Sequence, residues 1–234
     1  MSQKKRINIA IDGYASTGKS TTARAIAQKL GYIYVDTGAM YRAVTWYALE
    51  NGLIGPGFFH RKKLINALET LDIDFRYNPK TGTSETFLNG KNVEAFIRRP
   101  QVAEYVSEIA AVPEVRKKLV EIQQKMAQDK GVVMDGRDIG SVVMPEAELK
   151  IFMTASPQVR AQRRYAELRA KGENVRLDEI LRNVEERDRI DTTRSVSPLR
   201  MTPDARLLDN TKMSIPEQIN TILKWVEEIL KNKQ

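Results

Sequence analysis

Between a short apolar run, Ile7 to Ile11, and a helical pattern that begins at Lys19 stands the stretch Gly13-Tyr14-Ala15-Ser16-Thr17-Gly18-Lys19-Ser20. It fits G-x-x-x-x-G-K-[ST], a phosphate-binding loop that joins a strand to a helix. Its glycines let backbone N–H groups curl round an anionic oxygen with no Cβ in the way. The helix that follows turns its positive end on the same oxygens. Lys19 has the reach for β- and γ-phosphates, and the Ser20 hydroxyl stands where such a loop ligates Mg²⁺. The anion-binding set is Gly13, Tyr14, Ala15, Ser16, Thr17, Gly18, Lys19 and Ser20, continued by Thr21.

The segments around the loop define an α/β fold. Lys19 to Leu30 carries Ala23, Ile26, Ala27 and Leu30 at helical spacing and stops at Gly31, and Tyr32 to Val35 reads as a second strand. Strand, helix and strand with short links make a βαβ unit, so the sheet is mostly parallel. A helix opens at Asp36-Thr37-Gly38, Gly52 to Gly57 breaks it, and Leu64 to Leu71 is a short helical piece. Ile73 to Tyr77 and Glu85 to Leu88 alternate around a turn at Asn78-Pro79-Lys80-Thr81-Gly82, with Asn89-Gly90 behind them. Leu71 to Val93 is therefore predicted to be a small antiparallel insert. Helices follow over roughly 99–111 and 113–129, then strands at Gly131–Asp135 and Leu149–Met153. Ser156-Pro157 caps a helix to about Lys171, and Leu177, Ile180, Leu181 and Val184 mark the apolar face of the next. Ala205–Asp209 is a fifth strand, and Ser214 with Glu217 forms a capping box for the last helix.

Composition removes several chemistries. The chain of 234 residues has no cysteine, which excludes disulfides, thiolate metal sites and cysteine nucleophiles. Its one histidine, His60, lies in a loop and reads as a solvated surface residue, which argues against a multi-histidine metal site or a Ser-His-Asp triad. The apolar run behind the basic residues Met1 to Arg6 is too short for a signal peptide, and no stretch reaches the ~18 apolar residues of a membrane span. A cytoplasmic protein is expected. The net charge of +8 favours anionic partners without choosing among them.

Ligands of an open parallel sheet bind beyond the carboxyl ends of its strands. That rule gathers, after successive strands, the phosphate loop, then Asp36, Thr37 and Arg42, then Asp135, Gly136, Arg137 and Asp138, then Arg160, Arg163 and Arg164. Asp135 is placed like the acidic residue that helps hold Mg²⁺ in this class, or is a turn-forming Asp before Gly. Arg160, Arg163 and Arg164 share one helix face, suited either to clamping phosphoryl oxygens or to solvent. From Arg160 to Arg194 there are ten Lys and Arg against eight Asp and Glu, a balance that argues against a nucleic-acid surface. Arg187, Asp191 and Arg194 also share a face, whether as a site or as a salt-bridge ladder. Tyr41, Trp46 and Tyr47 are expected to pack in or near the core.

Taken together, the phosphate loop, Asp36-Thr37-Gly38-Ala39-Met40-Tyr41-Arg42, Asp135-Gly136-Arg137-Asp138-Ile139-Gly140 and Glu186-Arg187-Asp188 through Asp191 to Arg194 with Ser197-Pro198-Leu199 resemble bacterial cytidylate kinases, over roughly residues 7–210. Within the loop, Tyr14 stands where Pro is common in that family, and Ser20 where Gly or Ser occurs. The resemblance implies an open P-loop NTPase-type sheet of five mainly parallel strands flanked by helices, with a small antiparallel β insert and a helical lid. Residues 1–36, 99–155 and 190–234 would form the core domain, 37–98 the monophosphate-binding region with the insert, and 156–189 the lid and flanking helices.

The same resemblance implies transfer of the ATP γ-phosphate to CMP or dCMP with Mg²⁺ held at Ser20 and Asp135. Thr37, Arg42, Arg137 and Arg187 would hold the acceptor phosphate, Asp191 and Arg194 the ribose, and Ser107, Arg116 and Asp138 the cytosine. Lys19, Arg137, Arg187 and Arg160 would act on the transferring group, and Arg163 and Arg164 on ATP, with Gly172 as a lid hinge. The partners would be these small molecules, with no nucleic acid and no membrane, and the protein a monomer. Residues alone leave open a kinase of the same fold for UMP, AMP or another acceptor, and a non-catalytic nucleotide- or RNA-binding protein.

Overall fold

The structure is a computed structural model that describes residues 5–78 and 83–232. The turn expected at Asn78–Gly82 lies, from Pro79 on, outside the described residues, as do Met1–Lys4 of the basic N-terminus and Lys233 and Gln234 of the tail. In chain order the elements are β1 (Ile9–Gly13), α1 (Lys19–Leu30), β2 (Ile33–Asp36), α2 (Thr37–Glu50), β3 (Ile54–Gly55), β4 (Phe58–Phe59) and α3 (Arg61–Ala67). There follow β5 (Ile73–Asn78), β6 (Thr83–Leu88), β7 (Lys91–Asn92), α4 (Glu94–Ile97), α5 (Pro100–Ala110), α6 (Pro113–Met126) and β8 (Val132–Gly136). The chain ends with β9 (Leu149–Thr154), α7 (Pro157–Ala170), α8 (Leu177–Thr193), β10 (Arg206–Asp209) and α9 (Ile215–Asn232). Two compact units result: Met1–Tyr34 with Met126–Gln234, and Val35–Lys125.

The first unit is built on a sheet in the order β10-β9-β1-β8-β2, and the chain leaves the unit along β2. β1 is central and runs parallel to β8 and β9, and β9 parallel to β10. All five residues of β1 are buried, the pattern of a parallel strand covered on both faces. Ile9, Ile11, Ile26, Val133, Ile151 and Ile222 belong to its apolar core. Since these strands share a direction, the segments after β1, β8, β9 and β10 leave from one edge of the sheet, as expected. In β8 the register sets Asp135 beside Ile11 and Gly136 beside Asp12. α7 and α8 close on a small cluster of Ala161, Ile180 and Val184; Leu177, expected on the same stripe, is exposed at the first position of its helix.

The second unit has a core of its own, in which Met40 and Val44 of α2 meet Val102 and Ile109 of α5 and Leu119 of α6. Residues 100–125, grouped with the core domain on sequence, therefore bury their apolar faces here. The expected insert is an antiparallel sheet, β5-β6-β7, with Ile73 opposite Leu88. Tyr41 and Trp46 are buried, as packing residues should be. A hairpin of β3 and β4 replaces the plain break expected after α2, and His60 follows it exposed.

The capping box predicted for α9 is formed. Ser214 N–H and its hydroxyl both donate to Glu217 Oε2 at 2.7 Å, and Ser214 Oγ accepts from the Glu217 N–H at 3.4 Å. Ser214→Ala is expected to lower stability by about 1 kcal/mol, read as a shifted urea midpoint with an unchanged slope.

Candidate active site

The phosphate loop is held from inside and outside. Gly13 has φ +149°, and a Cβ there would stand 2.0 Å from the Met153 carbonyl oxygen on β9, so no side chain fits. Tyr14 packs its ring edge-on against Phe152 and lies under the Arg160 guanidinium, 5.1 Å away, which gives this departure from the usual Pro a packing role. The Tyr14 carbonyl accepts from Lys19 Nζ at 2.5 Å and from Thr17 Oγ1 at 3.0 Å. Lys19 is only 5% exposed. Burial, followed by the nearby Arg137 cation, holds its pKa well below the usual lysine range against the pull of Asp135, Asp191 and Asp12. A polyanion bound beside it would restore its preference for charge. Thr21 points outward on α1.

Asp135, at the end of β8, is buried and accepts from two hydroxyls, Ser20 Oγ to Oδ2 and Tyr34 Oη to Oδ1, both at 2.8 Å. The turn-residue alternative does not describe it. Hard oxygen donors from Ser20 and Asp135 stand side by side, the kind of pair Mg²⁺ takes from protein while phosphates and waters complete its octahedron. No group of three or more His, Cys, Asp and Glu that could cage a metal occurs among the described residues. The Ser20–Asp135 donor pair fits a hard divalent ion.

The turn after β8 is anchored by a residue not singled out from sequence. Asp12, 5% exposed at the end of β1, accepts from the N–H groups of Ile139 and Gly140 at 2.8 and 2.7 Å. Burial pushes its pKa up to about 6, although both N–H bonds hold it down. Asp138, between the anchored residues and Arg137, is buried. Arg137 Nε donates to Asp191 Oδ2 at 2.6 Å, and Arg194 Nη1 lies 3.7 Å from Asp191 Oδ1. Burial pushes Asp191 up, but Arg137, Arg194 and Arg187 outweigh it and leave the carboxyl below its usual range. Arg194 also donates twice to the Ser197 carbonyl, and Leu199 N–H donates to the Asp191 carbonyl at 2.7 Å, which explains the Ser-Pro-Leu segment as a brace.

The three arginines of α7 have different surroundings. Arg160 is 2% exposed, pairs with Asp188 Oδ2 at 2.6 Å and donates to the carbonyls of Ala155 and, in the phosphate loop, Ala15. Arg163 donates to the side-chain and backbone oxygens of Asn210, both at 2.9 Å. Arg164 pairs with Glu167 at the surface. Spacing predicted a shared face but not these separate partners. A cavity of about 350 Å³ opens beside the loop, walled by Tyr14, Thr154, Pro157, Arg160, Asp188 and Thr192.

In the second unit, Asp36 caps α2 by accepting from Ala39 N–H at 2.9 Å, and its carboxylate pairs with both Arg42, at 3.1 Å, and Arg98, at 3.0 Å. Burial raises Asp36, and the two arginines more than offset that, so it stays ionised below its usual pKa. Thr37 is buried at the first position of α2. A Cβ on Gly38 would press within 3.2 Å of Asp36 Oδ1 and 3.4 Å of Arg42 Nη1, so the glycine leaves room for this pair. Arg116 is 3% exposed, donates to the Ala110 carbonyl at 3.2 Å and lies 5.4 Å over the Tyr41 ring. Ser107 is half-buried on α5. Arg98 escaped the sequence reading because no motif frames it.

A parallel α/β sheet, a phosphate loop with a buried lysine and an adjoining Ser–Asp oxygen pair define a P-loop phosphotransferase. The family model described as Cytidylate kinase matches residues 9–228. A cytidylate kinase from Flavobacterium psychrophilum is 56% identical over 225 residues, covering 96% of this chain and 100% of that protein. One from Porphyromonas gingivalis is 54% identical over 224 residues, covering 95% and 97%. An uncharacterized protein from Eubacterium ventriosum of known structure shares the fold, with TM-score 0.52 at 13% identity over 96% of this chain and 99% of that one. This chain belongs to the cytidylate kinase family, and so to the kinases that work with ATP and a divalent metal. Among its described residues no helix is long and apolar enough to cross a membrane.

Proposed function

We propose that this protein transfers the γ-phosphate of ATP to CMP and dCMP, giving CDP and dCDP, by direct in-line displacement with Mg²⁺, as a cytoplasmic monomer acting on small molecules. The observation that supports it most is the buried Lys19 side chain on a phosphate loop, beside the Ser20–Asp135 pair, in a member of this family. Loop N–H groups from Gly13 to Thr21 and Lys19 take the donor phosphates, with Arg163 and Arg164 from the lid helix. Ser20 and Asp135 would hold Mg²⁺, which when bound would supply charge neutralisation to the donor phosphates. Lys19, Arg137, Arg187 and Arg160 present fixed positive charge to the equatorial oxygens, where it is worth most in a water-poor site.

On the acceptor side, Thr37, Arg42, Arg137 and Arg187 hold the CMP phosphate. Asp191 and Arg194 hold the ribose, for which the Arg137–Asp191 bond would open or shift to admit the sugar. Asp138 accepts from the cytosine amino group, and Ser107 and Arg116 donate to ring acceptors. Closure of α7 and α8 about Gly172 keeps water from the γ-phosphate. Residues 1–34, 126–155 and 190–234 act as the phosphate-transfer part, 35–125 as the monophosphate part and 156–189 as the lid.

Chromatographic detection of CDP from ATP and CMP tests the reading. Turnover should vanish on chelation with EDTA and return with excess Mg²⁺. Absence of CDP from folded protein with Mg²⁺ present would overturn it.

A further inference from the structure

Three carbonyls of the phosphate loop, those of Tyr14, Ala15 and Thr17, each have a side-chain donor on them. In a trans peptide the C=O and the following N–H point in opposite directions, so fixing a carbonyl aims the next N–H. The Tyr14 carbonyl is held by Lys19 and Thr17, inside the loop. That of Ala15 accepts from Arg160 Nη1 at 3.3 Å, and that of Thr17 from Asn210 Nδ2 at 2.7 Å. These last two carbonyls share peptide planes with the N–H groups of Ser16 and Gly18. Ser16 itself has φ +58°, a left-handed conformation that needs support from outside in a residue with a side chain.

Asn210 is 0% exposed and follows β10, the last strand. Its orientation is forced by its partners. The Arg163 guanidinium can only donate, so the Asn210 oxygen must face it, at 2.9 Å. The amide nitrogen is thereby turned to Thr17 O and to Gln218 Oε1, at 2.9 Å. Gln218 is fixed in the same sense, since its own amide nitrogen donates to the Met213 carbonyl and its oxygen also accepts from Thr22 Oγ1 on α1. The asparagine backbone closes the set, its N–H donating to the Thr154 carbonyl on β9 and its C=O accepting from Arg163. One side chain thus joins the lid helix, the last strand, α9 and the loop.

We propose that Asn210 is a positioning residue for the donor nucleotide: through Thr17 it holds the Thr17–Gly18 peptide so that the Gly18 N–H faces the ATP phosphates. The inference rests on the ATP-dependent kinase reading. It assigns to the segment after β10 a part in donor binding, and to Arg163 the task of orienting the asparagine.

The test substitutes Asn210→Asp, which keeps the shape and the oxygen facing Arg163 but replaces the donor to Thr17 with an acceptor. ATP affinity is measured by calorimetry without acceptor, and KM for ATP and for CMP by steady-state assay. Asn8→Asp is the control, because Asn8 is another buried asparagine of the same unit, whose side-chain bonds go to Ala127 and Val132 instead. Asn210→Asp should weaken ATP binding and raise its KM about tenfold or more, leave KM for CMP within about twofold, and leave Asn8→Asp with wild-type affinity despite a similar loss of thermal stability. ATP binding unchanged in folded Asn210→Asp, or weakened equally by Asn8→Asp, would overturn the assignment. If Asn210→Asp does not fold, Asn210→Ala is read by the same criteria. Wild-type protein that fails to bind ATP at all would instead overturn the kinase reading on which the proposal stands.

Discussion

Lys19→Ala is expected to lower kcat for CDP formation by at least ~10², the scale set by removing one preorganised electrostatic contact from a transition state. The side chain is nearly enclosed and lies among Asp12, Asp135, Asp191 and Arg137. A cation fixed there needs no reorganisation when charge develops on transferring oxygens, whereas water replacing it would have to reorient. The same burial works against the charged lysine in the unliganded fold. Turnover near wild type in folded Lys19→Ala would remove Lys19 from the mechanism.

The second large effect concerns the base. Cytosine carries an amino donor where uracil has a carbonyl acceptor, so a buried carboxylate discriminates between them by attraction to one and repulsion of the other. Asp138 is 4% exposed, on a turn clamped by Asp12 through two N–H bonds, so its carboxylate has little room to move away from a mismatched base. An asparagine can offer either its oxygen or its nitrogen. Asp138→Asn should therefore shrink the ratio of kcat/KM for CMP over UMP by about tenfold or more, on the scale of one base-edge contact, while changing KM for ATP much less. An unchanged ratio would take the base-reading role away from Asp138.

What sequence revealed, and what it did not, follows from the range of the interactions. The phosphate loop is local: its glycines, Lys19 and Ser20 are fixed by eight consecutive residues, and the apolar strand before it could be read directly. The Ser214–Glu217 cap is equally local. Asp12, Tyr34 and Asn210 matter because of partners 127, 101 and 193 positions away, and no window of sequence contains both ends of such a bond. The β3–β4 hairpin has two residues per strand, too few for an alternating pattern, so its glycines and Pro56 read only as a break. Helical spacing put Arg160, Arg163 and Arg164 on one face, but only packing shows that Arg160 enters the unit toward Asp188 while Arg164 stays at the surface with Glu167. The placing of α5 and α6 in the second unit has the same origin, since Val102, Ile109 and Leu119 are apolar stripes that fit any core until one is present.

The most direct test of the central claim is a coupled nucleoside-diphosphate assay with ATP and Mg²⁺ that compares CMP, dCMP, UMP, AMP and no acceptor at equal concentrations. Strong turnover with CMP and dCMP and little with the rest is the predicted result. Turnover that favours AMP or UMP, or none with any acceptor, would contradict it.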